Sequence, residues 1–599
     1  MSRILPETSL PRRRFVQGVA ALGATAAVGW PSRSAFARSQ ASNPAVLSGT
    51  HFDLRLDRMT VNKTGTPSWA NAINGGVPGP VLRWRQGDIV TLNVTNNLPE
   101  VTGVHWHGII LPNNMDGVPG LEFPGIQPGE TFTYRFPVVQ SGTYWYHSHM
   151  GYQEQKGALG ALVIEPEGEP LIQADREHVI LLEDWMDGDP YVVQNDLKHM
   201  SSFWNYNRRT LGTFVDDARQ SGLGPTIKER LRWADMRMDP TGLAQPTGAF
   251  YTYLMNGQPP KANWTALFRP GERVRLRIIN GSAITYYDVR IPGLTMEVVQ
   301  VHGNDVVPVP VDELRIGVAE VYDVIVRPTE NRAYTIFAQD FERSGYARGT
   351  LAPRAGMVAA IPPMDAPALR SMTDMGMPKM MPDQVDASTP ERTRIDAIMG
   401  KMDGKPDAQQ KARLAAYQPM AMRPMGGPKL HPGVENIYVA KMPDDRLALP
   451  GDGLNYLAGK RRILTYGDLR SVNPGLDKRP PTREIVLNLT GNMQRFIWGF
   501  NGKKFSEVGP IDVKLGERFR IRYINNTMMS HPIHLHGMWQ ELENGGGEHR
   551  PYLHTVNVKP GENISVLVTP LATGQWPLHC HVLYHFEAGM FRTLRVLPA

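Results

Sequence analysis

The stretch "QGDIVTLNVTNN", residues 86–97, decides how the rest of the chain is read. From Val90 to Thr95 apolar and polar residues alternate, the period of a strand with one buried face, and Asn96 and Asn97 close it with turn residues. The same pattern returns twice, as "PGERVRLRIING" from Pro270 and "LGERFRIRYINN" from Leu515. Aligning Gly87, Gly271 and Gly516 also aligns Asn96, Asn280 and Asn525. A second block repeats without a gap: "PGETFTYRFPVVQSGTYWYHSH" from Pro128 matches "PGENISVLVTPLATGQWPLHCH" from Pro560. Short alternating segments in a chain with 58 glycines and 50 prolines have the texture of β-sandwiches. The expectation is an all-β protein with three copies of one sandwich unit, at 44–170, 171–365 and 430–599, each strand half-buried.

The N-terminus carries consecutive arginines, Arg12 and Arg13, then Phe15 and a short run of small apolar residues ending in "SAFA". Residues 1–37 resemble a twin-arginine export signal. An ordinary secretion signal or a basic arm is the alternative. The expected location is the periplasm. No further run of 18 apolar residues follows, so no permanent membrane span is expected. A net charge of +6 over 599 residues, without a Lys/Arg cluster interleaved with aromatics, argues against a nucleic-acid partner.

The copies differ in their histidines. Of 17 in the chain, ten stand in four short motifs. His105 and His107 of "HWHG" lie opposite His534 and His536, whereas the middle copy has Val289 and Ile291 there. In the other block His147 and His149 lie opposite His579 and His581. Side chains two apart on a strand share a face, so eight imidazoles from copies one and three can line one cleft. Imidazole alone suits copper, zinc, iron or nickel. The only cysteine, Cys580, sits between His579 and His581 and so points to the opposite face. There it can meet His585, Met590 and the candidate His531. Two histidines, a thiolate and an axial methionine make a blue-copper electron-transfer site. The first copy has Ser148, Gln153 and Ala158 in place of Cys580, His585 and Met590.

The motifs "HWHG", "WYHSH", "HPIHLHG" and "HCHVLYHFEAGM" resemble, in order and spacing, the four copper motifs of the multicopper oxidases. The signal, the "LPNNMDGVPG" tail and a methionine-rich stretch resemble the family's periplasmic copper-resistance protein A branch. The resemblance implies three cupredoxin-like Greek-key domains and four copper ions. His531, Cys580, His585 and Met590 would hold type 1 copper, and His105 and His534 type 2 copper. One type 3 copper would take His107, His147 and His581, the other His149, His536 and His579. Family chemistry would reduce O₂ to water with electrons from Cu(I), phenols or Fe(II). Asp116 is the candidate proton donor, with a plain turn residue as the alternative. Some relatives carry a second carboxylate where this chain has Leu583 or Phe586; Glu587 comes one place later. Residues 372–425, within a linker at 366–429, hold ten of the 28 methionines. Thioethers favour Cu(I), so the stretch reads as a copper-collecting segment or as a loosely packed linker. A copper store and a laccase-like phenol oxidase are the competing functions, and a monomer is expected.

Overall fold

The computed structural model describes residues 43–599 except 236–238, 242–249, 368–369, 371–443, 458 and 493–494. The candidate export signal and the whole of the methionine-rich stretch at 372–425 lie outside the described residues. Among the described residues the strands form six sheets. In the first copy a four-stranded sheet contains β1 (Ile89–Asn96), and a five-stranded sheet contains β2 (Val104–His107) and β3 (Gly142–Ser148). Three helices follow, α1 (Pro190–His199), α2 (Leu211–Ser221) and α3 (Leu223–Asp235). Then come a six-stranded sheet with β4 (Val274–Asn280) and a five-stranded sheet with β5 (Tyr287–Arg290). The last copy has a six-stranded sheet with β6 (Phe519–Asn525) and a five-stranded one with β7 (His531–Leu535) and β8 (Gly574–Cys580). A one-turn helix, α4 (Leu583–Glu587), leads out of β8.

The repeated strands have the same surroundings in all three copies. β1 runs parallel to His51–Asn62 and antiparallel to Thr131–Pro137. β4 has Arg176–Trp185 and Val321–Val326 in those roles, and β6 has Glu484–Asn492 and Asn563–Val568. Each ends in a fully buried asparagine whose work is also repeated. The Nδ2 of Asn96 donates to the carbonyls of Glu100 (2.9 Å) and Ile126 (2.8 Å), and its Oδ1 accepts from Leu98 N–H (2.9 Å). Asn280 does this with Thr285, Ile316 and Ser282, and Asn525 with Met529, Val558 and Thr527. A strand turning inside the protein must pair its backbone groups, and one amide side chain supplies three partners at once.

Two expectations change. β1 and β6 alternate between buried and partly exposed residues, but every residue of β4 is buried. Arg277 on β4 is paired with Asp323 (2.9 Å) and Glu177 (2.7 Å) and donates to Thr143 Oγ1 of β3 (2.8 Å), so the polar face of the middle strand is covered by the first copy. The helices α1 to α3 were not expected from alternation. Their signals are end chemistry: Asp189 accepts from Tyr191 N–H with Pro190 at the first turn, and Thr210 forms a capping box with Thr213. One apolar core runs through all three copies, with Trp84, Trp106, Tyr287, Trp498 and Trp576 among its members. No helix among the described residues is long and apolar enough to cross a membrane.

Candidate metal centres

Antiparallel pairing brings the histidine motifs together two by two. β2 and β3 place His105 opposite His147, while β7 and β8 place His534 opposite His579 and Ile533 opposite Cys580. His107 is the last residue of β2; His149, His536 and His581 stand just beyond their strands. Glycine ends two of the motifs for a steric reason. Gly108 (φ 81°) and Gly537 (φ 65°) have left-handed backbone, and a Cβ would strike His554 at Gly108 and the Trp576 ring at Gly537.

The eight histidines of the H-x-H pairs converge across copies one and three. The ligand atoms of His107, His147 and His581 lie within 4.8 Å of one another, as do those of His149, His536 and His579. His105, His107 and His534 form a third such group. The outer nitrogens of His105, His534 and His579 are occupied. His105 Nδ1 is 2.9 Å from the Asp116 carbonyl, His534 Nδ1 is 2.7 Å from the His554 carbonyl, and His579 Nδ1 is 3.0 Å from the Cys580 carbonyl. The Nε2 atoms instead face each other, at 3.3 Å for His105 and His534, 3.4 Å for His149 and His579, and 3.0 Å for His536 and His579. His147 Nε2, His581 Nε2 and both nitrogens of His107 are buried without a hydrogen-bond partner.

That arrangement fits bound cations. Burial and the neighbouring imidazoles hold His107, His149, His534, His536 and His581 well below the usual histidine range, and His579 is pushed down to about 3 mainly by burial. Neutral rings with inward lone pairs are the form that binds metal. Buried polar atoms left unpaired would otherwise cost about 1–3 kcal/mol each.

On the other side of β8, Cys580 Sγ lies 3.5 Å from His531 Nδ1 and 3.7 Å from His585 Nδ1, and those two nitrogens are 3.2 Å apart. His531 Nε2 is engaged with Thr527 Oγ1 (2.7 Å), which turns Nδ1 toward the sulfur. Met590 is fully buried, and its backbone joins the site through Cys580 N–H to its carbonyl (3.1 Å) and its own N–H to His585 (3.0 Å). Burial pushes the Cys580 thiol up, so a soft cation is what would hold it as thiolate. The repeat counterparts of His531, Cys580 and His585 are Thr102, Ser148 and Gln153, and they also meet. Thr102 and Ser148 both donate to Gln153 Oε1 at 2.7 Å. Where copy three presents metal donors, copy one closes the same place with hydrogen bonds.

Asp116 stands at the histidine cluster, its Oδ2 2.8 Å from His536 Nδ1 and its Oδ1 3.2 Å from His105 Nδ1. It also lines a recess with Asn113, Glu122 and Gln575. Leu583 and Phe586 are not replaced in space by Glu587, which is exposed at the end of α4. A second carboxylate comes from elsewhere: Glu154 is buried with Oε2 2.7 Å from His147 Nδ1. The sequence reading missed it, although the repeat alignment that puts Gln153 opposite His585 also puts Glu154 opposite Phe586. His554 was missed as well; its ring lies edge-on to His107 (centroids 4.6 Å) and against His302 (4.2 Å).

Comparison with known proteins agrees with this geometry. Profiles described as multicopper oxidase match residues 56–169, 228–361 and 478–599. The chain is 50% identical to copper resistance protein A of Escherichia coli, covering 98% of this chain and 99% of that one. It is 49% identical to copper resistance protein A of Pseudomonas syringae pv. tomato, covering 98% and 100%. Among solved structures it resembles Fet3p, a multicopper oxidase that functions in iron import, with a TM-score of 0.61 and 17% identity over 92% of this chain and 90% of that one. The cupredoxin-like sandwich fold is shared, and the chain belongs to the multicopper oxidase family, copper-dependent oxidoreductases.

Proposed function

We propose that this chain is a periplasmic oxidase that couples one-electron oxidation of Cu(I) to four-electron reduction of O₂, and so contributes to copper resistance. In balance, four Cu(I), one O₂ and four protons give four Cu(II) and two waters. The names of the two half-identical relatives and the candidate signal at Arg12, Arg13 and Phe15 support the setting.

One observation carries the reading: a single cysteine separates two donor sets. Its sulfur faces His531 and His585, while its sequence neighbours His579 and His581 each belong to a different histidine trio. His531, Cys580, His585 and Met590 would hold one copper. His105 and His534 would hold a second, and the trios His107/His147/His581 and His149/His536/His579 the other two. Bound copper supplies one-electron exchange at the cysteine and a place for O₂ at the histidines. The protein contributes the route, a backbone path of one residue from Cys580 to His579 or His581. It also excludes water, since Cys580, His531 and His585 are fully buried. Asp116, 2.8 Å from His536 Nδ1 through its Oδ2, would be the residue that passes protons inward.

The test is O₂ uptake by copper-loaded protein with Cu(I) or a small phenol as donor. Faster uptake with Cu(I) is expected. Cu(I) binding without O₂ consumption would make the chain a store, and preference for the phenol would make it laccase-like.

A further inference from the structure

Glu154 has no place in the reading above, yet it is a buried carboxylate at the cluster. Its Oε2 lies 2.7 Å from His147 Nδ1, both side chains are nearly inaccessible, and its Oε1 has no hydrogen-bond partner. His147 Nε2 is likewise unpartnered and belongs with His107 and His581. A ring that keeps its Nε2 lone pair for a metal carries its proton on Nδ1, and that N–H faces two acceptors, the Ser148 carbonyl at 3.0 Å and Glu154 Oε2 at 2.7 Å.

The repeat supplies an internal control. The counterpart of His147 is His579, and both Nδ1 atoms lie 3.0 Å from the carbonyl of the next residue. Both rings therefore share the same backbone contact. The counterpart of Glu154 is Phe586, whose ring packs on His149 (5.3 Å) and His579 (5.0 Å) instead. Only the first copy adds a carboxylate at this position. The other trio has its carboxylate from the far side, where Asp116 Oδ2 meets His536 Nδ1 at 2.8 Å. Each trio thus has one ligand backed by a carboxylate, and both carboxylates come from copy one.

Building on the copper assignment proposed above, we infer that Glu154 is a positioning residue: by accepting from His147 Nδ1 it fixes Nε2 toward the His107/His147/His581 trio and strengthens its hold on copper. Removing such a partner typically weakens metal affinity by about 10–100-fold.

The experiment compares the parent chain with E154L and E154Q, each loaded with copper and dialysed against graded concentrations of a chelator. The readouts are copper per chain, the blue absorbance and the EPR spectrum. E154L is expected to release cluster copper at chelator concentrations about 10–100-fold below those the parent withstands. Its blue absorbance should persist, and an EPR signal from uncoupled copper should appear. E154Q keeps an acceptor oxygen in the same place and should restore most of the retention. Equal retention by E154L and the parent overturns the inference, and so does an E154Q as defective as E154L. If E154L and E154Q both fail to fold, the inference also falls, because structure alone would then account for the carboxylate. If the parent takes up no copper beyond the blue centre, the copper assignment itself fails, separately from the role of Glu154.

Discussion

Cys580 is the side chain on which most depends. Serine would fill its space, but a hard hydroxyl oxygen does not replace a thiolate toward copper. Cys580→Ser should therefore abolish both the blue absorbance and oxidation with any donor, while far-ultraviolet circular dichroism stays that of the parent. A blue, active serine variant would remove the type 1 assignment. His107 and His149 test the other donor set, because each belongs to a different trio and neither touches the sulfur site. His107→Ala or His149→Ala should leave the blue centre in place but stop its reoxidation. The measurement is anaerobic reduction followed by admission of air, with rapid return of the colour counting against the cluster. The repeat shows how a few residues decide the difference: Thr102, Ser148 and Gln153 satisfy one another, whereas His585 keeps a buried Nε2 without a partner.

Strands carry these side chains, and the buried asparagines at their ends hold the strands. Asn525 pairs the carbonyls of Met529 and Val558 and the N–H of Thr527, and Thr527 in turn touches His531. Asn525→Ala leaves three buried backbone groups unpaired, at about 1–3 kcal/mol each before relaxation. A loss of at least about 3 kcal/mol in urea unfolding is expected, together with weaker blue absorbance from a displaced His531. Asn280→Ala should cost a similar amount and spare the colour, because the middle copy contributes no donor to the histidine groups. Equal loss of colour in both variants would contradict that division. Alternation and the aligned asparagines were enough to locate β1, β4 and β6 from sequence. Alternation could not show that β4 is covered on both faces, because coverage depends on which copy packs against it.

The packing of one copy on another is itself titratable. Burial alone would raise the Glu177 carboxyl, but Arg277 and Arg83 override it and bring it from the ordinary 4.5 down to about 2. A folded value below the unfolded one means that the stabilisation is fully present above about pH 4.5 and lost as pH falls toward 2. The shift corresponds to about 3 kcal/mol. Copper-free Glu177→Gln should be less stable at pH 7 and should lose less on acidification than the parent, as thermal unfolding between pH 7 and 3 would show. A parallel pair of curves would rule out this contribution. For the methionine-rich stretch, deleting residues 372–425 removes none of the twelve assigned ligands. If the thioethers deliver donor, cuprous oxidation should fall at low copper while oxidation of a bulky phenol holds or rises. Unchanged cuprous kinetics would leave the stretch a linker.

The sequence by itself determined the strand period, the threefold repeat, which copies carry histidines and the identity of every candidate donor. These follow from residue type and spacing along the chain, because alternation is local and a gap-free repeat preserves it. Tertiary structure alone decided which nitrogen of His534 and His536 faces inward, since the His554 carbonyl and the Asp116 carboxylate that engage their Nδ1 atoms come from distant parts of the chain. It also selected Glu154 over Glu587: the first is folded against His147, while the second, closer in sequence to the cysteine motif, ends a helix turn at the surface. Distance along the chain cannot report that choice, because the cluster is built between two copies more than 400 residues apart, as with His105 and His534.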